Sequence, residues 1–173
     1  MNRPLTTLAV ACLLGGGVLL GWALRGATPP TMVHASATEG TDNFAVATGL
    51  VDEDVEAFYF LDFLTGKLKA TVINTRKGEF GAYFDYDITQ DFAAAGRNPK
   101  YLMVTGEVNI PRGRGNSQIS RSAVYITEAT TGQMAAYVMP WSSSLQAAGK
   151  PQQGTFLRIG VLPLRGDSVI RGQ

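Results

Sequence analysis

The chain has one cysteine and one histidine in 173 residues, and only 17% of its residues are charged. A single cysteine excludes a disulfide framework and a cysteine-based zinc finger. One histidine leaves no histidine-cluster metal site and makes a Ser-His-Asp triad hard to build. Fifteen Lys and Arg against 14 Asp and Glu give a net charge of +1. The basic footprint of a nucleic-acid binder is therefore missing. No G-x-S-x-G, H-E-x-x-H or C-x-x-C occurs. Gly113-x-Gly115 follows a proline and opens no helix, so it is neither a Rossmann nor a P-loop fingerprint. These absences lead to the expectation of no catalytic residue, no metal and no cofactor. What is plentiful is apolar surface, at 45% of residues, and glycine, at 20. The chain is too apolar for global disorder, and its scarcity of Lys/Glu-rich periodic runs leans towards β-structure.

Leu5–Leu24 carries no charge and is long enough for a helix to span a bilayer. Arg3 and Arg25 flank it, and Trp22 sits near its far end, where an amphipathic ring suits the interface. Residues 1–25 thus read either as a signal anchor or as a signal peptide cut near Val33-His34-Ala35 or Ala35-Ser36-Ala37. Either reading places the protein outside the cytoplasm, in the periplasm or cell envelope, with the membrane as a partner if the segment is uncut. Cys12 lies inside this run, which leaves the remaining chain free of cysteine. Residues 26–43, rich in Pro, Thr, Ala and Gly and containing His34, read as a flexible linker.

The rest, 44–173, reads as an all-β domain built on a repeat. Phe58–Ile73 aligns without gaps on Val124–Met139 at an offset of 66 residues. Tyr59 matches Tyr125, Asp62 matches Glu128, and Thr65-Gly66 matches Thr131-Gly132. Leu68, Ala70 and Val72 match Met134, Ala136 and Val138. Upstream, the strand ending at Gly49 matches the one ending at Gly106, at an offset of 57. Period-two alternation predicts strands over 44–50, 56–62, 67–74 and 79–86, then 101–108, 122–128, 133–140 and 155–162. The Thr-Gly pairs mark tight turns where glycine supplies positive φ. Asp87–Ala95 reads as one short helix capped by Asp87, between unit one (44–96) and unit two (97–162). Residues 142–154 read as a loop and 163–173 as a tail.

Each unit is then a four-stranded antiparallel meander, the plan of one propeller blade. FYFLDFLTGKL and VYITEATTGQM resemble the repeat of β-propellers of the pyrroloquinoline-quinone-dehydrogenase type. The tryptophan that follows the Thr-Gly turn in that family is replaced here by Ala70-Thr71 and Ala136-Tyr137. The layout also resembles a group of small anchored or exported proteins of planctomycete bacteria, a resemblance that implies no activity. Rings take about 4–8 blades, so two units either pack together as a two-sheet domain or assemble between chains.

Asp52, Glu53, Asp54 and Glu56 form the densest acidic cluster, in the turn between the first two strands. Their spacing does not match a calcium loop. Arg112, Arg114 and Arg121 occupy the corresponding connection of the second unit. Residues 44–92 carry −5 and residues 97–173 carry +6, an asymmetry that hints at interaction. The two connections can meet between chains, head to tail, or within one chain. Trp141 ends a strand and reads as a core or sheet-edge residue, or as a ligand platform. The expectation is a non-enzymatic envelope protein that acts in protein interaction, self-association or assembly. A small-ligand or glycan binder using Trp141, Tyr125 and the arginine loop is the alternative. An enzyme working with carboxylates and tyrosine comes third.

Overall fold

The computed structural model describes residues 38–92, 99–110 and 118–165. The apolar segment Leu5–Leu24 lies outside them, as do Arg112 and Arg114. Among the described residues no helix is long and apolar enough to cross a membrane.

The protein is all-β, with two sheets. The first takes β1 (Thr38–Gly40), β2 (Phe44–Asp52), β3 (Val55–Asp62), β4 (Lys67–Asn74) and β5 (Glu79–Asp87). The second takes β6 (Tyr101–Glu107), β7 (Gln118–Glu128) and β8 (Gln133–Trp141). A short helix, α1 (Ser143–Ala147), follows, then β9 (Gln152–Thr155) and β10 (Leu157–Pro163). The sheet orders are β1-β2-β3-β4-β5-β9 and β10-β8-β7-β6. One core cluster joins Tyr59, Leu61, Leu68, Ala70, Val72 and Phe84 of the first sheet to Met103, Val124, Ile126, Tyr137 and Met139 of the second. The two sheets therefore share a single apolar interior.

Four details differ from the sequence reading. First, chain order begins earlier, because Thr38–Gly40, read as linker, pairs with β2. Second, the helix expected over Asp87–Ala95 is a single 3-10 turn, Ile88–Gln90. Asp87 does cap it, accepting from the Thr89 N–H, but Ile88 and Phe92 are wanted by the core, and 93–98 lie outside the described residues. Third, the stretch 142–154, read as loop, holds α1, capped by the Ser142 hydroxyl. Fourth, β9 (Gln152–Thr155) falls mostly in that same loop stretch and adds in parallel to β5, while the expected strand over 155–162 is β10 (Leu157–Pro163), which pairs with β8. Buried Phe156 marks the crossing point from one sheet to the other.

Repeat-equivalent residues do not occupy equivalent places. In unit one, Tyr59, Leu68, Ala70 and Val72 face the core. Their counterparts in unit two, Tyr125, Met134 and Ala136, are only partly buried and lie on the outer face, with Val138 buried beside them. Conversely, Val124, Ile126, Ala135, Tyr137 and Met139 face the core, while their unit-one counterparts Phe58, Phe60, Lys69, Thr71 and Ile73 point outward. The first strands agree. Ala45 and Ala47 are 4% and 2% exposed, and their counterparts Leu102 and Val104 are 63% and 53% exposed. A strand's side chains alternate between faces, so the inversion is a rigid property of each whole sheet. One unit lays its first face against the second face of the next. A twofold-related pair would have set like faces together.

Candidate functional site

The acidic turn is a two-residue hairpin loop between paired Asp52 and Val55. Asp54 takes φ +55°, a left-handed conformation that aspartate tolerates better than most residues. Asp52 Oδ1 accepts from the Glu53 N–H at 2.9 Å. Asp52 Oδ2 accepts from the Trp141 indole N–H at 3.2 Å and from the Ser143 hydroxyl. Asp52 and Trp141 are therefore brought together, as a strut between the two sheets. Trp141 is buried in the core and points its one polar atom at that carboxylate. Tyr125 lies on the opposite face of the second sheet, so the two aromatic residues singled out in the sequence do not converge. Glu53, Asp54 and Glu56 are exposed.

Arg121 pairs with Glu107 at 2.7 Å across β6 and β7. Asp52, Glu53, Glu107, Asn109, Ser120 and Arg121 line one polar cleft of about 360 Å³. The acidic turn of unit one and the described part of the basic connection of unit two thus border the same cleft within one chain. Arg121 is nevertheless engaged by its own sheet's Glu107, and Arg112 and Arg114 are not among the described residues. Among the described residues no group of three or more His, Cys, Asp or Glu is placed to hold a metal. The cleft offers hydrogen bonds and an acidic rim.

The most elaborate polar cluster was not legible as one. Asp91, which follows the 3-10 turn, has a side chain only 3% exposed. It accepts from the Tyr137 hydroxyl at 2.8 Å and from Arg158 at 2.5 Å. Tyr86 packs against Tyr137 at a 51° tilt, with ring centroids 5.2 Å apart. Burial, followed by the hydrogen bond to Asp91, pushes the Tyr137 phenol far up. Burial first and the Asp91 charge second also raise Tyr86. Neither phenol ionises at ordinary pH, so the cluster works as a lock between the sheets. The repeat did carry a signal for it: Tyr137 stands where unit one has Thr71. A second lock joins Tyr59 Oη and Ser122 Oγ at 3.1 Å, and Thr105 Oγ1 donates to the Thr48 carbonyl at 2.6 Å.

Asp62 and Glu128, by contrast, were legible as partners. Each closes its turn in the same way, accepting from the backbone two and three residues on and from the hydroxyl of Thr65 or Thr131. Burial opposes the charge of Glu128, but hydrogen bonds from Thr131 and Thr130 outweigh it and hold the carboxyl at about 2. The Thr65 hydroxyl is the main cause that lowers Asp62.

Two surfaces remain. On the outer face of the four-stranded sheet, the positions between Leu102 and Gly106, Ala123 and Thr127, Met134 and Val138 carry no charge, and Leu157, Gly160 and Leu162 of β10 continue it. On the outer face of the six-stranded sheet, Phe58, Thr71, Tyr83 and Gln153 form one cross-strand row. Beside it runs an open groove of about 540 Å³ with Phe80 and Pro151. Together these features define a small two-sheet β domain with an uncharged outer face on its four-stranded sheet. No family model matches the chain, and no curated protein or solved structure matches it.

Proposed function

We propose that the protein is a non-enzymatic, exported or membrane-anchored envelope protein that works as an interaction and assembly module, its two units being blade-like repeats. One observation carries this reading: the uncharged outer face of the four-stranded sheet, with Leu102 and Val104 more than half exposed. Contiguous exposed apolar patches on a soluble domain mark interaction surfaces. Leu5–Leu24 supports the tethered, extracytoplasmic setting, because the run suits a bilayer span. The polar cleft and the locks hold the domain together and leave its faces for contact. The test is the mass of the full chain in mild detergent, by light scattering across a concentration series. A species above monomer mass, or a defined complex with an envelope protein, is expected. A monomer at every concentration that binds no envelope protein overturns the reading.

The groove beside Phe80, Tyr83 and Gln153 favours a second reading, a small-ligand or glycan binder. Exposed rings next to a neutral amide suit stacking on a sugar. Tyr83→Ala should then weaken retention on an immobilised polysaccharide; equal retention of variant and wild type removes the reading.

A further inference from the structure

We propose that copies of this chain stack head to tail, the outer face of the four-stranded sheet of one copy resting on the outer face of the six-stranded sheet of the next. The proposal deepens the assembly reading and rests on it, naming the surfaces and the partner. Its basis is the inverted placement of the repeats. Inside the chain, the face of unit one that carries Tyr59, Leu68, Ala70 and Val72 is covered by the face of unit two that carries Val124, Ile126, Tyr137 and Met139. The contact joins unlike faces, so it is heterologous, and a heterologous contact does not satisfy itself. It leaves the equivalent of the first face open on unit two, at Tyr125, Met134 and Ala136. It also leaves the equivalent of the second face open on unit one, at Phe58, Thr71 and Ile73. A further copy supplies to each open face the kind of surface that already covers its counterpart.

Three observations agree with that occupant. Both open faces carry exposed apolar side chains: Leu102 and Val104 on one, and Phe58 and Ile73, at 45% and 54% exposed, on the other, where Lys69 is the one charged residue among the five outward-pointing repeat positions. One occupant thus accounts for two exposed surfaces that otherwise need separate explanations. The small residues Ala136 and Gly160 lie side by side in β8 and β10. Nothing in the chain comes within 4 Å of a Cβ built on Gly160, so the space above it is open, while the register shift between Arg158 and Gly160 gives the glycine a local role as well. A glycine inside a strand fits close approach by another backbone or side chain. Finally, residues 44–92 carry −5 and residues 97–173 carry +6. The four-stranded face itself is uncharged, but head-to-tail stacking brings unit two of one copy close to unit one of the next, so their opposite net charges attract around the contact, whereas like-with-like stacking brings the same sign together.

The experiment is a complementation test on the full chain in mild detergent. Met134→Glu with Ala136→Glu spoils only the first open face. Phe58→Glu with Ile73→Glu spoils only the second. Phe58 and Ile73 are exposed and Met134 and Ala136 partly so, and circular dichroism checks that the fold persists. Each variant alone should lose assembly relative to wild type, with the dissociation constant raised at least tenfold. Mixed together, the two should form a one-to-one pair and stop there, because each retains one good face of opposite kind. A twofold contact predicts otherwise, since one variant would then keep the wild-type mass and the mixture would gain nothing. Either of those results overturns the proposal. Wild-type assembly that survives both variants overturns this contact while leaving the assembly reading standing, and a wild-type chain that never self-associates overturns this contact too.

Discussion

The turn at Asp62-Thr65-Gly66 and the turn at Glu128-Thr131-Gly132 are the same device in two environments. In each, a carboxylate accepts from two backbone N–H groups and a threonine hydroxyl. In each, glycine at φ +64° or +72° sends its N–H back to the residue that bears the carboxylate. What differs is the face. Asp62 points out of its sheet towards water, and Glu128 points into the protein and is fully buried. The inverted placement of the two units is the whole cause. The lesson is that an equal hydrogen-bond count does not imply an equal energy. A buried acceptor that is lost leaves stranded donors, whereas an exposed one is replaced by water.

The largest expected effect follows directly. Glu128→Ala removes the buried acceptor shared by the part-buried Thr130 and Thr131 N–H groups and the Thr131 hydroxyl, and should cost roughly 2–4 kcal/mol in urea unfolding. Its pH dependence sharpens the comparison. The folded carboxyl, at about 2, lies below the ordinary 4.5. The stabilisation is therefore complete above about 4.5 and is lost as pH falls from there towards 2. Wild type and Glu128→Ala should approach each other in stability across that window. A difference that stays constant down to pH 2.5 would mean that the charge is not what holds the turn.

Gly66→Ala and Gly132→Ala rank next, and they should not be equal. Both place a side chain in the left-handed region, at about 1 kcal/mol or more. A Cβ on Gly66 collides with the methyl of Thr89. That side chain is pinned, because its hydroxyl and N–H both donate to Asp87, at 2.6 and 3.0 Å. A Cβ on Gly132 meets instead the Cγ and Cδ of Arg165, at 2.5 and 2.9 Å, an exposed flexible chain that can move aside at the loss of its hydrogen bond to the Thr130 carbonyl. Gly66→Ala should therefore cost about 1 kcal/mol more than Gly132→Ala. Equal costs would show that backbone strain alone sets the effect.

Much of this was legible in the sequence, and the part that was not has a physical reason. The strands at 67–74 and 133–140 stand within a residue of their predicted bounds, because Leu68/Ala70/Val72 and the two Thr-Gly turns give period and punctuation together. The alignment even paired Asp62 with Glu128. It gave no means of telling which face of unit two is buried. In 122–128 and 133–140 both sets of alternate residues are apolar, Tyr125/Met134/Ala136 on one side and Val124/Ile126/Ala135 on the other, so alternation carries no direction there. The Asp91 lock was hidden for a related reason. Its carboxylate, Tyr137 and Arg158 come from separate elements, and only the packing of the two sheets brings them together. Trp141 was legible as a core residue, but its link to Asp52 across 89 positions was not.

The smallest expected effect belongs to Asp62, and it carries the most information. In an isolated chain Asp62→Ala loses the same hydrogen bonds as Glu128→Ala, but water reaches the freed Leu64 and Thr65 groups, so stability should fall less than for any substitution above. Head-to-tail stacking changes that expectation. It covers the outer face of unit one, and Asp62 then sits where Glu128 sits inside the chain. The substitution should cost little in the background of Met134→Glu with Ala136→Glu, which cannot stack. It should cost distinctly more in the assembled wild type, with thermal unfolding followed at matched concentration. If Asp62→Ala costs the same in both backgrounds, the turn stays in water in the assembly, and the equivalence between the covered faces stops short of its end.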